Sequence, residues 1–406
     1  TLVYTLSLHD ALPIYPGKYD EYHPQYVYER SMIPRIVSIL SGVSGKGVSI
    51  GELAGELEVS IQKTEEAIEA LERVNAIKID GERVYVNFTI FTGKDQEKIL
   101  KWSSKVAPQI GQEILKLKDK IIDRASQLKA ANSVPIDEIL YHIIGCYTLD
   151  WKGLEVFSEE DIIINDKPQP GERNYVLLGM EETEEFDEFT RKLFCSSQNI
   201  SAGRYFFSSF GDQTGQRVSA FPGLFWSVDS SIRRGIDKEY IVESYNDIAR
   251  DYQQDMAAKC GQILVDLAMN QDKTLSKFSP DQKKYIRLLL DMGYLEIRGE
   301  ELTLKVPVFL PEDLPIIKEI SNIVIDAIID DVREIFEKLP EQLPQLTSIK
   351  QNINPKEMLN EVWHQVFARI NLILIDEGLM KEPMKREGEG YYLKTLYYLP
   401  DEGKLI

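Results

Sequence analysis

The chain is poor in the residues that build metal centres and disulfide frameworks. Its 406 residues include only three cysteines and four histidines. The cysteines, Cys146, Cys195 and Cys260, are odd in number and far apart, which is typical of reduced thiols in a cytoplasmic protein. We therefore expect a cytoplasmic protein with no disulfide framework, no metal site and no cofactor.

Positive charge and long hydrophobic runs are also scarce. Lysine and arginine number 47 against 66 aspartate and glutamate residues, which gives a formal net charge of −19 at pH 7. An acidic protein repels nucleic acid unless its basic residues gather on one face. The sequence has no run of about 18 apolar residues, so it predicts neither a transmembrane helix nor a membrane partner. The length is sufficient for two or three domains with a sizeable core.

Residues 1–14 are set apart from the rest of the chain. The run from Tyr4 to Ile14 resembles the translation of a common sequencing-library adapter, so we treat it as an artefact and exclude it from fold reasoning. We expect natural sequence from about Tyr15. A tyrosine-rich arm, residues 15–30, begins there, and we predict that it docks onto the folded body.

One segment of the chain occurs twice, 218 positions apart. Residues 71–95 read LERVNAIKIDGERVYVNFTIFTGKD, and they align without a gap onto residues 289–313, LLDMGYLEIRGEELTLKVPVFLPED. Asp95 and Asp313 are one of the identical pairs. The gapless match favours an internal duplication over a chance likeness between unrelated segments.

Weaker matches extend the two predicted copies. Residues 141–142, Tyr-His, follow the long helix of the first copy, and residues 363–364, Trp-His, follow that of the second. Residues 171–176 (GERNYV) likewise resemble residues 388–393 (GEGYYL). Residues 183–255 have no counterpart, and we interpret this aromatic-rich stretch as an inserted element that joins the copies.

Helix and turn signals follow the same order in both copies. In the first copy, apolar residues at helical spacing predict a helix, Ser49 with Glu52 forms a capping box for a second, and Ser60 caps a third. Two alternating strands across Asp80-Gly81 then predict a hairpin. A long helix follows in both copies, and we expect Pro108 to break or kink the first one. We also predict helices over residues 135–147 and 354–376 and a strand over residues 174–180.

The order of helix, helix, turn, helix and two-stranded wing resembles winged helix-turn-helix regulators of the broad MarR/ArsR-like type. The resemblance covers about residues 31–92 and 260–310 and rests on element order. It implies a DNA-binding transcription regulator. A duplicated chain could place two such modules as a two-fold homodimer would, which makes it an internal pseudo-dimer. A homodimer of the whole chain stays open.

The predicted fold class is α+β, mainly α, with duplicated winged helix-turn-helix modules, long helices and the aromatic-rich insert. The predicted domains are a first winged helix (31–92) with a helical extension (93–182), the insert (183–255), a second winged helix (256–310), and a second helical extension with a C-terminal strand (311–406).

The third helices of the two copies differ in charge. Glu65, Glu66 and Glu69 of the first copy align with lysine, lysine and arginine in the second. Basic and amide side chains are those that contact DNA bases and phosphates. The candidate nucleic-acid-binding residues are Gln282, Lys283, Lys284, Arg287 and Arg298 in the second copy, and Ser60, Gln62, Lys63, Thr64 and Arg83 in the first.

A second hypothesis is a non-enzymatic adaptor that binds protein. Under this hypothesis, the chain resembles acidic tandem winged-helix proteins such as bacterial condensin accessory subunits, which use these modules to bind protein. A continuous basic face that includes Arg298 and Lys305 would favour DNA, whereas an isolated basic patch in an acidic surround would favour protein.

Two further hypotheses concern a small-molecule pocket and catalytic residues. The aromatic cluster of Phe206, Phe207, Phe210 and Trp226 could line a small-molecule pocket, or it is an ordinary core. No catalytic arrangement of nucleophile and base stands out, and His142 and His364 fit packed positions, so we predict that the protein is not an enzyme.

Overall fold

The computed structural model describes residues 21–382 and 396–397, except 29, 31, 44, 166, 182–199, 203–204, 212–249, 271–272 and 348–352. Within these residues the fold is mainly helical with small sheets, which confirms the predicted α+β, mainly α class. The adapter-like run and the start of the tyrosine-rich arm lie outside the described residues. None of the described helices has the combination of length and apolar character needed to cross a membrane.

Helices and a three-stranded sheet form what we call the first unit, residues 24–86. Its elements are α1 (Pro24–Tyr28), α2 (Ile33–Gly42), β1 (Val48–Ser49), α3 (Ile50–Leu57), α4 (Ile61–Arg73), β2 (Ile77–Asp80) and β3 (Arg83–Val86). The strands are antiparallel in the order β1-β3-β2. Strand β1 was not predicted, because two residues are too short for an alternating pattern.

The first unit has its own hydrophobic core. Ile36 of α2, Leu53 of α3 and Leu71 of α4 are fully buried within it. Tyr28, at the end of the tyrosine-rich arm, is buried in the same cluster. This core forms because each helix carries its apolar residues on one face.

A sheet and several helices follow the first unit. They are β4 (Thr89–Phe91), α5 (Gly93–Leu115), α6 (Lys118–Ala125), α7 (Ile136–Leu140), a π-helix (Tyr141–Lys152), α8 (Gly153–Glu159), β5 (Pro168–Gln169), β6 (Arg173–Glu181), β7 (Ile200–Ala202) and β8 (Tyr205–Gly211). Strand β6 pairs in parallel with β4 and antiparallel with β8. Strands β7 and β8 therefore complete the sheet of the first half, although the sequence predicted a separate insert there.

Helix α5 does not end at Pro108, so the predicted break does not occur, while the kink stays a prediction. It continues to Leu115 with the proline inside it. A proline removes one helical hydrogen bond, here that of the Ser104 carbonyl. Both residues are exposed, so water can take the place of the lost donor. The cost of the proline is therefore small enough for the helix to continue.

The second half repeats much of this order. Its elements are α9 (Arg250–Met269), α10 (Pro280–Asp291), β9 (Leu295–Arg298), β10 (Glu301–Leu304), β11 (Val308–Phe309), α11 (Leu314–Glu337), α12 (Leu339–Gln342), α13 (Pro355–Asp376) and β12 (Leu396–Tyr397). Residues 250–304 are called the second unit. Helix α9 begins before the boundary predicted at residue 256.

Helices from both halves share one large core. Helix α13 packs on α5 and on the π-helix, and α11 packs on the π-helix and on α5. Trp363 of α13 lies at the centre, where its ring is 4.9 Å from that of Phe157 and 6.2 Å from that of Phe336. Its Nε1 donates to the carbonyl of Leu149 at 2.5 Å. The helices of the second unit belong to this same core, unlike those of the first.

Candidate nucleic-acid interface

Helix α10 begins at a complete capping box. The Ser279 side chain accepts from the backbone N–H of Gln282 at 3.2 Å, and the Gln282 side chain accepts from the Ser279 N–H at 3.0 Å. Pro280 occupies the first turn, where its missing N–H has no consequence. The cap fixes where the helix starts. It also occupies the side-chain oxygen of Gln282, which is half-buried and therefore a poorer contact residue than predicted.

Three cations lie on the exposed face of α10. Lys283, Lys284 and Arg287 are exposed, whereas Ile286 and Leu289 on the opposite face are buried. Lys283 and Arg287 are one helical turn apart and share a side of the helix. Lys284 pairs with Asp281 at 3.4 Å. Among the residues that the structure describes, neither Lys283 nor Arg287 has a carboxylate partner.

The cations of the neighbouring hairpin are paired with one carboxylate. Arg298 Nε and Lys305 Nζ each lie 3.2 Å from an oxygen of Glu296. Hydrogen bonds from Arg298 and then Lys305 lower the pKa of Glu296, so it stays charged. The continuous basic face through Arg298 and Lys305 that would favour DNA is therefore interrupted. Glu300 and Glu301 at the hairpin turn are exposed and add further negative charge.

The corresponding face of the first unit is acidic. Ser60 caps α4 by accepting from the N–H of Lys63 at 3.3 Å, and both Gln62 and Lys63 are exposed. Thr64 is fully buried and its hydroxyl donates to the Ser60 carbonyl at 3.2 Å. The prediction that Thr64 contacts nucleic acid is wrong, because its position shares the helix face of Ala67 and Ile68, which points into the core.

Arg83 is exposed but engaged with its own unit. Its Nη1 donates to the carbonyl oxygens of Gly47 at 2.8 Å and Lys46 at 3.3 Å. The side chain thus ties the hairpin to the loop before β1. Because Glu65, Glu66 and Glu69 lie exposed on α4, this unit offers little attraction to a polyanion.

A group of ionisable side chains lies buried in the shared core. His364 Nε2 is 3.4 Å from Asp150 Oδ1, and its Nδ1 is 2.8 Å from the Asn360 carbonyl oxygen. Burial lowers the pKa of His364, but the hydrogen bond and charge of Asp150, together with the charge of Glu361, outweigh it and raise the pKa overall. Burial raises the pKa of Glu361 to about 7. The sequence pattern gave no sign of Asp150 or Glu361, because acidic residues are abundant throughout the chain.

His142 and His364 are both buried, as expected for packed histidines. Burial lowers the pKa of His142 to about 3 and keeps its ring neutral. The predicted aromatic pocket stays untested, because Trp226 lies outside the described residues and the structure gives only the strand course at Phe206, Phe207 and Phe210. In the described ranges, no group of three or more His, Cys, Asp or Glu side chains could hold a metal ion.

Comparisons with protein-family models, curated proteins and solved structures find no match for this chain.

Proposed function

We propose that the chain is a DNA-binding transcription regulator with tandem winged helices, and that the second unit contains its DNA-reading helix. The observation that carries this proposal is the exposed pair Lys283 and Arg287 on α10, without a carboxylate partner in the described part of the chain. Helix α10 directly precedes the hairpin, as a recognition helix precedes its wing. Neither of the described cysteines, Cys146 and Cys260, forms a disulfide, which supports a cytoplasmic location.

Strand pairing supports the winged-helix interpretation of both units. In the first unit, Ser49 of β1 pairs with Arg83 of the hairpin. In the second, Thr274 forms an antiparallel bridge with Glu301. Arg83 and Glu301 are aligned positions of the sequence repeat. Each hairpin is therefore paired with a segment before its third helix at the same aligned position, through a short strand in the first unit and a single bridge in the second.

A second pair of contacts supports the duplication. Phe91 of β4 pairs in parallel with Met180 of β6, and Phe309 of β11 pairs in parallel with Tyr397 of β12. Phe91 and Phe309 are identical positions of the repeat. Met180 and Tyr397 follow the similar segments at 171–176 and 388–393 at equal spacing. The segments with the weaker sequence match therefore lead into strands that pair at equivalent residues in the first and second copies.

Charge sets the expected character of DNA binding. The net charge of −19 repels a duplex over most of the surface, so attraction must come from the short basic face of α10. Three cations would release few counterions. We expect log K to fall with log salt at a slope of about −3.

The test is fluorescence anisotropy with labelled duplex DNA of mixed sequence over a salt series. The triple variant Lys283→Glu, Lys284→Glu, Arg287→Glu is expected to lose binding. A matched control, Lys101→Glu, Lys116→Glu, Lys338→Glu, changes the net charge equally at exposed positions on other helices and is expected to keep most of it. Equal loss of DNA binding in both variants would contradict the proposal that α10 contacts the DNA.

A protein-binding adaptor is the second candidate, and the pairing of Arg298 and Lys305 with Glu296 favours it. That pairing leaves the cations of α10 as a small patch among the exposed carboxylates of Asp281, Glu300 and Glu301. If neither mixed DNA at low salt nor selection from a random duplex library gives binding, the regulator is excluded. Crosslinking in cells through Lys283 would then identify the protein that the patch contacts.

A further inference from the structure

Two buried aspartates begin the long helices of the two copies. Asp95 lies in the first turn of α5, and Asp313 lies directly before α11. They are 2% and 1% exposed. Each accepts a local backbone hydrogen bond at 3.1 Å through Oδ2, Asp95 from the N–H of Thr92 and Asp313 from that of Leu310. Each carboxylate therefore has its second oxygen available for another donor.

That second oxygen is bonded by the other half of the chain. Oδ1 of Asp95 accepts from the backbone N–H of Thr347 at 3.2 Å. Oδ1 of Asp313 accepts from the backbone N–H of Lys129 at 2.6 Å. A buried carboxylate bonded by backbone N–H groups is held in a charge-assisted, directional geometry.

The two bonds are equivalent by the sequence repeat. Asp95 and Asp313 are 218 positions apart, and so are Lys129 and Thr347, although the latter pair lies outside the aligned segment. In each case the carboxylate comes from one copy and the amide from the other. Residue i of one half bonds residue j of the other, and the reverse also holds, which is the signature of a two-fold interface.

Side chains near the long helices also form contacts between the two copies. The ring nitrogen of Trp102 on α5 donates to the Gln342 side chain of α12 at 2.6 Å. Arg124 of α6, the position in the first copy that corresponds to Gln342, forms an ion pair with Glu319 of α11. Glu319 precedes by one residue the position that corresponds to Trp102. Beyond the two aspartates, the contacts are thus reciprocal to within one residue.

We propose that Asp95 and Asp313 are a reciprocal pair of positioning residues that fix the two copies about an internal two-fold axis. Each one ties the junction between hairpin and long helix in its own copy to a backbone segment of the other copy. The two units are thereby placed like the two ends of a homodimer within one chain. This inference rests on the duplication proposed above and is independent of DNA binding.

The test is hydrogen–deuterium exchange of backbone amides in the full chain, resolved at Lys129 and Thr347. Asp313→Ala is expected to raise exchange at Lys129 about ten-fold or more and to leave Thr347 close to its original rate. Asp95→Ala is expected to do the reverse. A purely local role would move only Leu310 or Thr92, next to the substituted residue.

Asp313→Asn and Asp95→Asn provide a second test in case the alanine variants do not fold. An asparagine has one acceptor oxygen where the aspartate has two, so it can hold one of the two amides and must release the other. Glu312→Gln is the matched control, because its exposed carboxylate pairs with the Lys129 ammonium and not with the amide. Unchanged exchange at Lys129 in Asp313→Ala, or at both Lys129 and Leu310 in Asp313→Asn, with native near-ultraviolet circular dichroism, would overturn the proposal. The outcome does not depend on whether the chain binds DNA.

Discussion

Two buried histidines, one on the π-helix and one on α13, have pKa values shifted in opposite directions. Burial lowers the pKa of His142 to about 3. His364 is equally buried, but its hydrogen bond to Asp150, the charge of Asp150 and the nearby charge of Glu361 outweigh burial and raise its pKa. The residue type alone therefore does not decide the charge inside this core. The ionisable neighbours do.

The pKa of His142 predicts an acid-sensitive contribution to stability. Its folded-state pKa lies below the ordinary value of 6.5, so the folded protein holds the neutral ring while the unfolded chain binds a proton. The contribution is fully present above pH 6.5 and is lost as the pH falls toward 3. Between pH 7.5 and pH 5, we expect the free energy of unfolding of the wild type to fall by about 2 kcal/mol more than that of the His142→Gln variant. Urea unfolding at both pH values measures this, and parallel pH profiles for the two proteins would refute it.

At the scale of elements, local signals predicted most of the helices and hairpins. Helix α13, predicted over 354–376, is observed at Pro355–Asp376, and β6, predicted over 174–180, is observed at Arg173–Glu181. The segment that contains the π-helix was predicted as an ordinary helix over 135–147. Apolar residues lie on all sides of it, so its sequence has no periodic pattern that would distinguish the two kinds of helix. The sequence left open whether Pro108 breaks or kinks α5, since the outcome depends on which face of the helix meets water.

The cap of α10 predicts a measurable loss of stability. Ser279→Ala removes the acceptor for the Gln282 N–H, which leaves one more unbonded donor at the helix start. We expect the free energy of unfolding to fall by about 1 kcal/mol. Ser104→Ala is the control, because that exposed serine lies inside α5 and bonds only its own helix. Equal stabilities of the Ser279 variant and the wild type would show that the cap contributes nothing.

At the scale of the whole molecule, the two units differ in how they are supported. The first unit has a separate core, which Tyr175 and Leu177 of β6 join from outside. The Tyr175 hydroxyl donates to the Val74 carbonyl at 2.9 Å and anchors this contact. The second unit shares the large core with the long helices of both halves. The two units thus differ in how far each depends on the rest of the chain.

This asymmetry predicts two cooperative steps of unfolding. We expect amides of the first unit to exchange through a partial opening with a lower free energy than amides of α10 and α13. Leu53→Ala should lower only that first step, by about 2–5 kcal/mol, whereas Ile328→Ala should lower the unfolding of the large core. Hydrogen exchange across a urea series measures both steps. A single common opening energy for all slow amides would contradict two cores.

The sequence by itself determined the match between residues 71–95 and 289–313, the order of helices and hairpins, the helix caps and the difference in charge between α4 and α10. These features are local, because they depend on residues within a few positions of one another. Only the tertiary structure decided that Thr64 is buried, that Glu296 holds both Arg298 and Lys305, and that strands from the predicted insert join the sheet of the first half. It alone brought Asp95 to Thr347 and Asp313 to Lys129. Such contacts join residues far apart in the chain, and no local pattern of charge or hydrophobicity specifies which of them will meet.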